Sequence, residues 1–161
     1  MDTTEQTVCR VDSVTDVLTG KLSDILGQKT KGVIKVDSDC IVAVAARKMR
    51  KEKVGGLMVV ENDNLVGIFT ERDLMSRVVA EGLDPEKIKV SEVMTLSIAT
   101  LPPETSVSIA ANIMSQNRIR HLPVLQDGKL YGVISAGDIL AWKLREQEFT
   151  LHQLEDYLFK S

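Results

Sequence analysis

The chain contains the same sequence pattern twice, and this internal repeat constrains the fold more than any other feature. The segment Lys21–Leu26 corresponds to Lys89–Met94 at a shift of 68 residues. The second copy is then three residues shorter, and a shift of 65 holds without a further gap from Val42 to Asp73 and their counterparts. A unit of about 60 residues buries only about 60% of its unfolded surface. We therefore expect the two copies to pack together.

The apolar residues of each copy predict the order strand, helix, strand, strand, helix. A helix is predicted where apolar residues recur at i, i+3, i+4 and i+7, as they do at Val42, Ala45, Ala46 and Met49. Hairpins are predicted by short apolar runs on either side of turn residues: 54–60 and 65–70, then 119–125 and 130–135. The fold class is therefore α/β (α+β), with two β-α-β-β-α repeats related by pseudo-twofold symmetry and helices at both ends.

The sequence also predicts boundaries: an N-terminal extension or helix at 1–20, repeat 1 at 21–80, a linker at 81–88, repeat 2 at 89–145 and a C-terminal helix at 146–161. Gly and Pro in the linker end the last helix of repeat 1. The C-terminal helix carries a leucine stripe at Leu144, Leu151, Leu154 and Leu158. The stripe is compatible with packing on the chain's own repeats and with docking on a second subunit, and its two heptads do not decide between them.

A short motif ends the hairpin of each copy and has two interpretations. Thr70 and Asp73, like Ser135 and Asp138, have the spacing of a capping box with Asp in place of the usual Glu. In the first interpretation these residues only cap a helix, and each cap contributes about 1 kcal/mol. In the second, the helix N-terminus and the hydroxyl bind a phosphate while the ionised carboxylate accepts hydrogen bonds from a ribose diol. The spacing leaves both open.

Basic residues next to the same strand ends favour an anionic ligand. Arg72 lies inside the first motif, and Arg120 and His121 precede the buried strand of the second copy. A guanidinium pairs with phosphate through charge-assisted hydrogen bonds worth about 1.5 to 3 kcal/mol each where water is partly excluded. The alternative is a solvated rim, where ion pairs contribute about 0 to 1 kcal/mol.

These motifs together resemble cystathionine β-synthase (CBS) domains, and the pair resembles a Bateman module. The resemblance covers about residues 22–144 and is carried by Val90–Met94, Arg118–Val124 and the two hairpin-end motifs. It implies two clefts between the repeats that bind adenosine-containing ligands. Such ligands are AMP, ADP, ATP, NAD(H) and S-adenosylmethionine. The flanking helices resemble those of small stand-alone CBS-pair proteins that bind AMP or NAD(H), which favours these two over S-adenosylmethionine.

The resemblance also implies roles for individual residues. Asp73 and Asp138 would hold ribose hydroxyls, and Thr70 and Ser135 would contact phosphate or ribose. Three residues would neutralise phosphate, namely Arg72, Arg120 and His121. Three positions would enclose the adenine, namely Ile34, Val54 and Pro123. Because the first copy has two glycines where the second has Arg120 and His121, we do not expect equal occupancy of the two clefts.

The residues offer no good candidates for catalysis, so we predict that the chain is not an enzyme. We find no nucleophile with an adjacent base and no paired acids. The two histidines and the unpaired Cys9 and Cys40 make no plausible zinc site. We predict a regulatory or sensor module that binds an adenosine nucleotide and acts in trans on an unidentified partner. The alternative is a ligand-independent dimerisation scaffold whose hairpin-end motifs are only caps, and a homodimer is expected in both cases.

Charge and hydropathy exclude two further classes of partner. A net charge of −3 argues against binding nucleic acid through the overall field of the protein. No stretch approaches the roughly 20 apolar residues of a membrane helix, and the acidic residues in 1–6 do not suit a secretory signal. Two cysteines outside a CxxC motif indicate a reducing compartment, so we expect the protein in the cytoplasm.

Overall fold

A computed structural model of the chain describes residues 19–159, so the predicted N-terminal extension lies outside the described residues up to position 18. Repeat 1 contains α1 (Leu22–Gln28), β1 (Lys35–Asp37), α2 (Val42–Glu52), β2 (Gly56–Glu61), β3 (Asn64–Thr70) and α3 (Glu71–Asp73), which continues as a π-helix over Leu74–Val79. Repeat 2 contains α4 (Val90–Val93), α5 (Val107–Asn117), β4 (His121–Gln126), β5 (Lys129–Ser135) and α6 (Ala136–Phe159). This order confirms the predicted α+β fold of two similar repeats.

The two hydrophobic cores exchange their first helices. Leu22 and Ile25 of α1, at the start of repeat 1, pack in the core formed by α5, β4 and β5 of repeat 2. In return, Val90 and Val93 of α4 pack in the core of repeat 1, with α2 and the sheet β1-β2-β3. Separating the repeats would therefore expose core residues of both. The sequence repeat did not predict this exchange.

Two glycines at equivalent positions allow the exchanged helices to approach the sheets. A Cβ atom on Gly132 of β5 would lie 2.6 Å from Leu26 Cδ2, at the end of α1. A Cβ atom on Gly67 of β3 would lie 2.5 Å from Met94 Sδ, just after α4. The same contact thus occurs in both halves of the molecule, which is how the pseudo-twofold symmetry of the pair appears in its packing.

The first strand predicted for repeat 2 is reduced to a bridge at one residue, while the predicted order of the elements is kept. In repeat 1, β1 pairs in parallel with β2 over three residues. In repeat 2, Leu101 forms only an isolated parallel bridge with Val124 of β4. Pro102 and Pro103 follow directly, and because proline has no amide hydrogen they cannot extend the ladder.

The predicted hairpins are present, but β2 and β4 begin two residues later than expected. Lys53 and Arg118 end the preceding helices in the left-handed conformation, with φ of 56° and 53°. Such a residue turns the chain away from the helix axis before the strand starts. The strands therefore begin at Gly56 and His121.

One helix joins the predicted end of repeat 2 to the predicted C-terminal helix. α6 continues without a break from Ala136 to Phe159. Its leucine stripe does not pack against the repeats, because the four leucines of the stripe are 52 to 67% exposed. The sequence is compatible with two placements of the leucine stripe. The structure disfavours one of them, packing on the chain's own repeats.

The helix exchange predicts reciprocal effects of two core substitutions. Leu22→Ala should lower the free energy of unfolding by about 2 to 5 kcal/mol, because the buried side chain leaves a cavity. Hydrogen exchange should show loss of amide protection in α5, although Leu22 belongs to repeat 1 by sequence. Val90→Ala should loosen α2 instead. Loss of protection within each variant's own sequence repeat would contradict the exchange.

Candidate ligand-binding cleft

A cleft of about 660 Å³ lies between the two repeats, and five of the ten predicted site residues line it. One wall comes from the segment after α1 and from the start of β2, and the other comes from β4, β5 and the first turn of α6. Roughly 300 to 1,000 Å³ is the usual size of a pocket for a small molecule. The predicted residues in the lining are Ile34, Val54, His121, Ser135 and Asp138.

Ser135 and Asp138 form a capping box at the start of α6. The Ser135 amide donates a hydrogen bond of 2.7 Å to Asp138 Oδ2, and the Asp138 amide donates one of 3.1 Å to Ser135 Oγ. The predicted capping geometry is therefore present, and it is compatible with both interpretations of the motif. The Asp138 side chain keeps 22% of its surface exposed. A carboxylate held in this way remains within reach of a ligand in the cleft.

Lys29 completes the surroundings of Asp138, although it is not among the site residues predicted from the sequence. Its Nζ donates hydrogen bonds of 2.8 Å to Asp138 Oδ2 and 2.9 Å to the Val133 carbonyl. Burial alone would raise the pKa of Asp138, but the bonds from Lys29 and from the Ser135 amide lower it below its ordinary value. Asp138 Oδ2 accepts both of these hydrogen bonds, and Oδ1 accepts neither of them.

The cleft lining has an excess of positive charge. Lys29, Lys31 and Lys53 line it together with the single carboxylate of Asp138. Lys29 and Lys31 belong to a polar, glycine-bounded segment at 27–32, and this position before a buried strand was the only sequence signal that could have indicated them. Such a lining favours an anionic ligand.

His121 lies at the contact between the repeats. Positions opposite it carry Gly55 and Gly56, and a Cβ atom on Gly56 would lie 3.4 Å from His121 Nδ1. Burial lowers the pKa of the His121 imidazole, and the positive charges of Lys29 and Arg120 add to this effect against the opposing influence of Glu71. The imidazole is therefore held neutral near pH 7, where it can accept a hydrogen bond but carries no charge for a phosphate.

Asp73, the counterpart of Asp138, has a different environment. It forms the same capping box, with hydrogen bonds from the Thr70 amide and hydroxyl to Oδ2, both of 2.9 Å. Its second oxygen, Oδ1, accepts a hydrogen bond of 2.9 Å from the Thr95 hydroxyl and lies 3.8 Å from Arg77 Nε. Asp73 is only 5% exposed. Its carboxylate is thus used inside the protein.

The structure does not bring the remaining predicted residues to the cleft. Arg72 is exposed, and its Nη1 donates a hydrogen bond of 3.3 Å to the Arg118 carbonyl. The Arg120 side chain is exposed, while its carbonyl accepts a hydrogen bond of 2.9 Å from the Ala136 amide. Pro123 is buried within β4, opposite Val133. None of these three residues lines the cleft.

Other features of the described residues are less informative. A second cavity of about 670 Å³ lies at the hairpin turns near Asn62 and Lys129 and contains none of the predicted site residues. Within residues 19–159, no three His, Cys, Asp or Glu side chains are close enough to hold a metal ion. The same part of the chain has no helix long and apolar enough to cross a membrane.

Comparisons with known proteins agree with the geometry. The family model for the CBS domain matches residues 22–80 and 90–145. The mitochondrial CBS domain-containing protein CBSX3 of Arabidopsis thaliana is 34% identical over 146 residues, which cover 85% of this chain and 71% of that protein. A protein with CBS domains from Burkholderia ambifaria has a similar structure, with a TM-score of 0.73, 34% identity and coverage of 75% of this chain and 91% of that chain.

The chain therefore belongs to the CBS domain family, as a tandem CBS pair. CBS-pair proteins are generally regulatory or sensor modules. A further structure similar to this chain is that of a hexameric CBS-CP12 protein from bloom-forming cyanobacteria, with a TM-score of 0.66, 35% identity and coverage of 76% of this chain and 71% of that chain.

The buried position of His121 predicts a pH dependence of stability. Folding lowers the pKa of His121 from 6.5. The stability that the neutral imidazole contributes is therefore fully present above pH 6.5 and is lost as the pH falls through the lower pKa of the folded protein. The free energy of unfolding should therefore fall more steeply between pH 7 and pH 5 in the wild type than in His121→Gln. Urea titrations measure this difference.

The exposed His152 provides the matched control, since the chain has only these two histidines. His152→Gln should retain the wild-type slope. Equal slopes for the wild type and His121→Gln would show that the imidazole is not protected from protonation by the fold.

Proposed function

We propose that this chain is a non-catalytic regulatory module that binds an adenosine nucleotide in the cleft beside Asp138 and acts in trans on a partner protein. The observation that carries the proposal is the placement of Asp138. It is a partly exposed carboxylate at a helix N-terminus, in a cleft between two repeats, with lysines in the same lining.

The chemistry of the cleft fits the parts of a nucleotide. Asp138 offers acceptor oxygens to the vicinal hydroxyls of a ribose. The Lys29 ammonium group lies 2.8 Å from that carboxylate. A ribose diol that replaced Lys29 as the partner of Asp138 would therefore free the ammonium group to bind a neighbouring phosphate. Ile34 and Val54, both half-buried, supply apolar surface for the adenine.

The lysines also rank the candidate ligands. AMP, ADP, ATP and NAD(H) carry negative phosphates that complement Lys29, Lys31 and Lys53. S-Adenosylmethionine carries a sulfonium cation and lacks phosphate, so the same lining disfavours it. The family of anionic adenosine ligands is therefore preferred, and AMP or NAD(H) remain the leading choices from the resemblance of the flanking helices.

The two carboxylates support one ligand for each chain. Asp138 pairs with the ammonium group of Lys29 and keeps part of its surface in the cleft, whereas Asp73 is 5% exposed and bonded to Thr95. A ribose at Asp73 would have to displace bonds inside the protein, and a buried polar group that loses its partner costs about 1 to 3 kcal/mol. We therefore propose a stoichiometry of one.

A ligand in this cleft contacts both repeats, which provides a route to regulation. Binding shifts a conformational equilibrium only by the difference in affinity for the two states. A tenfold preference corresponds to about 1.4 kcal/mol, which modulates a partner without acting as an all-or-none switch.

A ligand-independent dimerisation scaffold is the second candidate function, and the two completed capping boxes favour it. Each box satisfies the amides at a helix start without any ligand. On this account, Lys29 and Asp138 form an ordinary partly exposed ion pair.

A matched pair of substitutions separates these functions. Asp138→Ala should weaken binding of an anionic adenosine nucleotide by about 10- to 100-fold, since it removes charge-assisted hydrogen bonds. Asp73→Ala removes the equivalent cap and should lower the free energy of unfolding while affinity stays within a few fold. Isothermal titration with AMP, ADP, ATP, NADH and S-adenosylmethionine measures affinity and stoichiometry.

Two controls accompany this experiment. Lys29→Met should weaken binding of the phosphate-bearing ligands more than that of adenosine, because it removes only the ammonium group. Mass spectrometry of the small molecules released when the purified protein is denatured gives an unbiased test. If no nucleotide gives heat of binding or a thermal shift at millimolar concentration, the sensor function is ruled out and the dimerisation scaffold is supported.

Self-association is the second part of the proposal, and exposed apolar residues that obey the repeat support it. Counterparts at a shift of 65 are exposed together on equivalent helices: Val44 with Ile109, Met75 with Leu140, and Val79 with Leu144. Each of these side chains is at least 50% exposed. Apolar patches that recur by symmetry in this way are typical of contact surfaces. We therefore propose a homodimer.

Charge on this surface should oppose the homodimer. The double variant Val44→Glu/Ile109→Glu should raise its dissociation constant at least tenfold, as measured by sedimentation equilibrium. Arg50→Glu/Ser115→Glu, at exposed positions on the other side of the same two helices, serves as the control and should not. If the dissociation constant of Val44→Glu/Ile109→Glu equals that of the wild type, these helices do not form the dimer contact.

A further inference from the structure

The second half of α6 has no counterpart in repeat 1. The corresponding helix in repeat 1 ends at Val79, whose counterpart in repeat 2 is Leu144. α6 continues for four further turns, to Phe159. This extension is thus not needed to complete the core of a repeat, and its apolar residues require a separate explanation.

The apolar residues of α6 form one straight seam with the spacing of a coiled coil. The seam consists of six residues, and consecutive members are 4, 3, 4, 3 and 4 positions apart: Leu140, Leu144, Gln147, Leu151, Leu154 and Leu158. The five leucines are 52 to 67% exposed, and Gln147 is also exposed. This alternation is the a and d pattern of a heptad repeat, with one polar residue near its centre.

The seam faces away from the body of the protein. Ile139 and Trp142, on the opposite side of α6, pack on the core of repeat 2. Thr19, the first described residue, lies on that same opposite side, because Trp142 Nε1 donates a hydrogen bond of 2.8 Å to its carbonyl and its amide donates one of 2.9 Å to Glu146.

We propose that the seam of α6 binds the same seam of a second copy of this chain, in a parallel two-stranded coiled coil. A shared two-fold axis along the two helices brings each seam residue opposite its own copy. Leu140 and Leu144 belong both to this seam and to the exposed set that repeats by symmetry, so the two surfaces are continuous. The proposal does not depend on the ligand.

The polar residue of the seam selects the parallel orientation. In a parallel pair Gln147 faces Gln147 of the second copy, and two amide side chains satisfy each other's donors and acceptors. In any antiparallel register a d position faces an a position, so Gln147 would face an apolar residue and remain unsatisfied. A single polar residue in a coiled-coil seam is known to specify its register.

Charges beside the seam select the same orientation. In an antiparallel pair centred on the extension, e positions face each other and Glu148 would face another Glu148, which is repulsive.

Cysteine cross-linking of the full chain tests the orientation. Gln147→Cys should form a disulfide-linked dimer in more than half of the chains under mild oxidation, because position 147 faces itself across a parallel seam. Gln153→Cys, at an exposed position on the other side of α6, should give no more than the wild-type background from Cys9 and Cys40. Equal cross-linking at positions 147 and 153 would overturn the proposal.

A second pair of variants tests the contact without new cysteines. Leu151→Glu/Leu154→Glu should raise the dissociation constant of the dimer by about 100-fold or more in sedimentation equilibrium. Phe149→Glu/Gln153→Glu adds the same charge on the other side of the same turns and should change it by less than about threefold.

The outcomes separate the possible occupants of the seam. A wild-type chain that is monomeric at 100 μM overturns the proposal. If Leu151→Glu/Leu154→Glu is then also monomeric and melts at a lower temperature than the wild type, the seam is assigned to residues 1–18 of the same chain. A dimer that tolerates Leu151→Glu/Leu154→Glu and does not cross-link at position 147 also overturns it, and leaves the symmetric helix surface as the contact.

Discussion

The packing of α1 on the core of repeat 2 is the interaction on which the cleft depends. Leu22 and Ile25 are buried in that core, and Leu26 contacts Gly132 of β5 where a side chain would not fit. Lys29 follows α1 directly, so the exchanged helix places its ammonium group against the Val133 carbonyl and the Asp138 carboxylate. Without the exchange, α1 would not hold Lys29 at this end of α6.

The same exchange explains why two equivalent carboxylates have different environments. α4, which packs on repeat 1, is followed by Thr95, and the Thr95 hydroxyl bonds to Asp73. A neutral hydroxyl with a short side chain closes over its carboxylate, whereas a lysine reaches its carboxylate from a distance and keeps it near water. One motif thus becomes an internal structural bond and the other a charged site that a ligand can reach. The asymmetry arises from the neighbours of the motif.

Local features of the fold could be predicted from the sequence, and long-range features could not. The hairpins and both capping boxes follow from residues within a few positions of one another, such as Ser135 and Asp138. The exchange could not be predicted, because Leu22 and Val90 are equally apolar and no local pattern says which core each will enter. Lys29 was missed for the same reason, since a lysine in a polar segment looks like any solvated lysine until its partner is known. Local pattern also overstated the first strand of repeat 2, where Pro102 ends the pairing.

α6 connects the two surfaces for which functions are proposed. Its first turn holds Asp138 in the cleft, and its seam begins two residues later at Leu140 and extends to Leu158. A helix of 24 residues is about 36 Å long and nearly rigid, so a tilt of its first turn moves its far end. If a nucleotide at Asp138 and a second copy at the seam prefer the same orientation of α6, linkage requires that each strengthens the binding of the other by the same factor. The coupling would then need no relay of side chains, because one helix contacts both ligands.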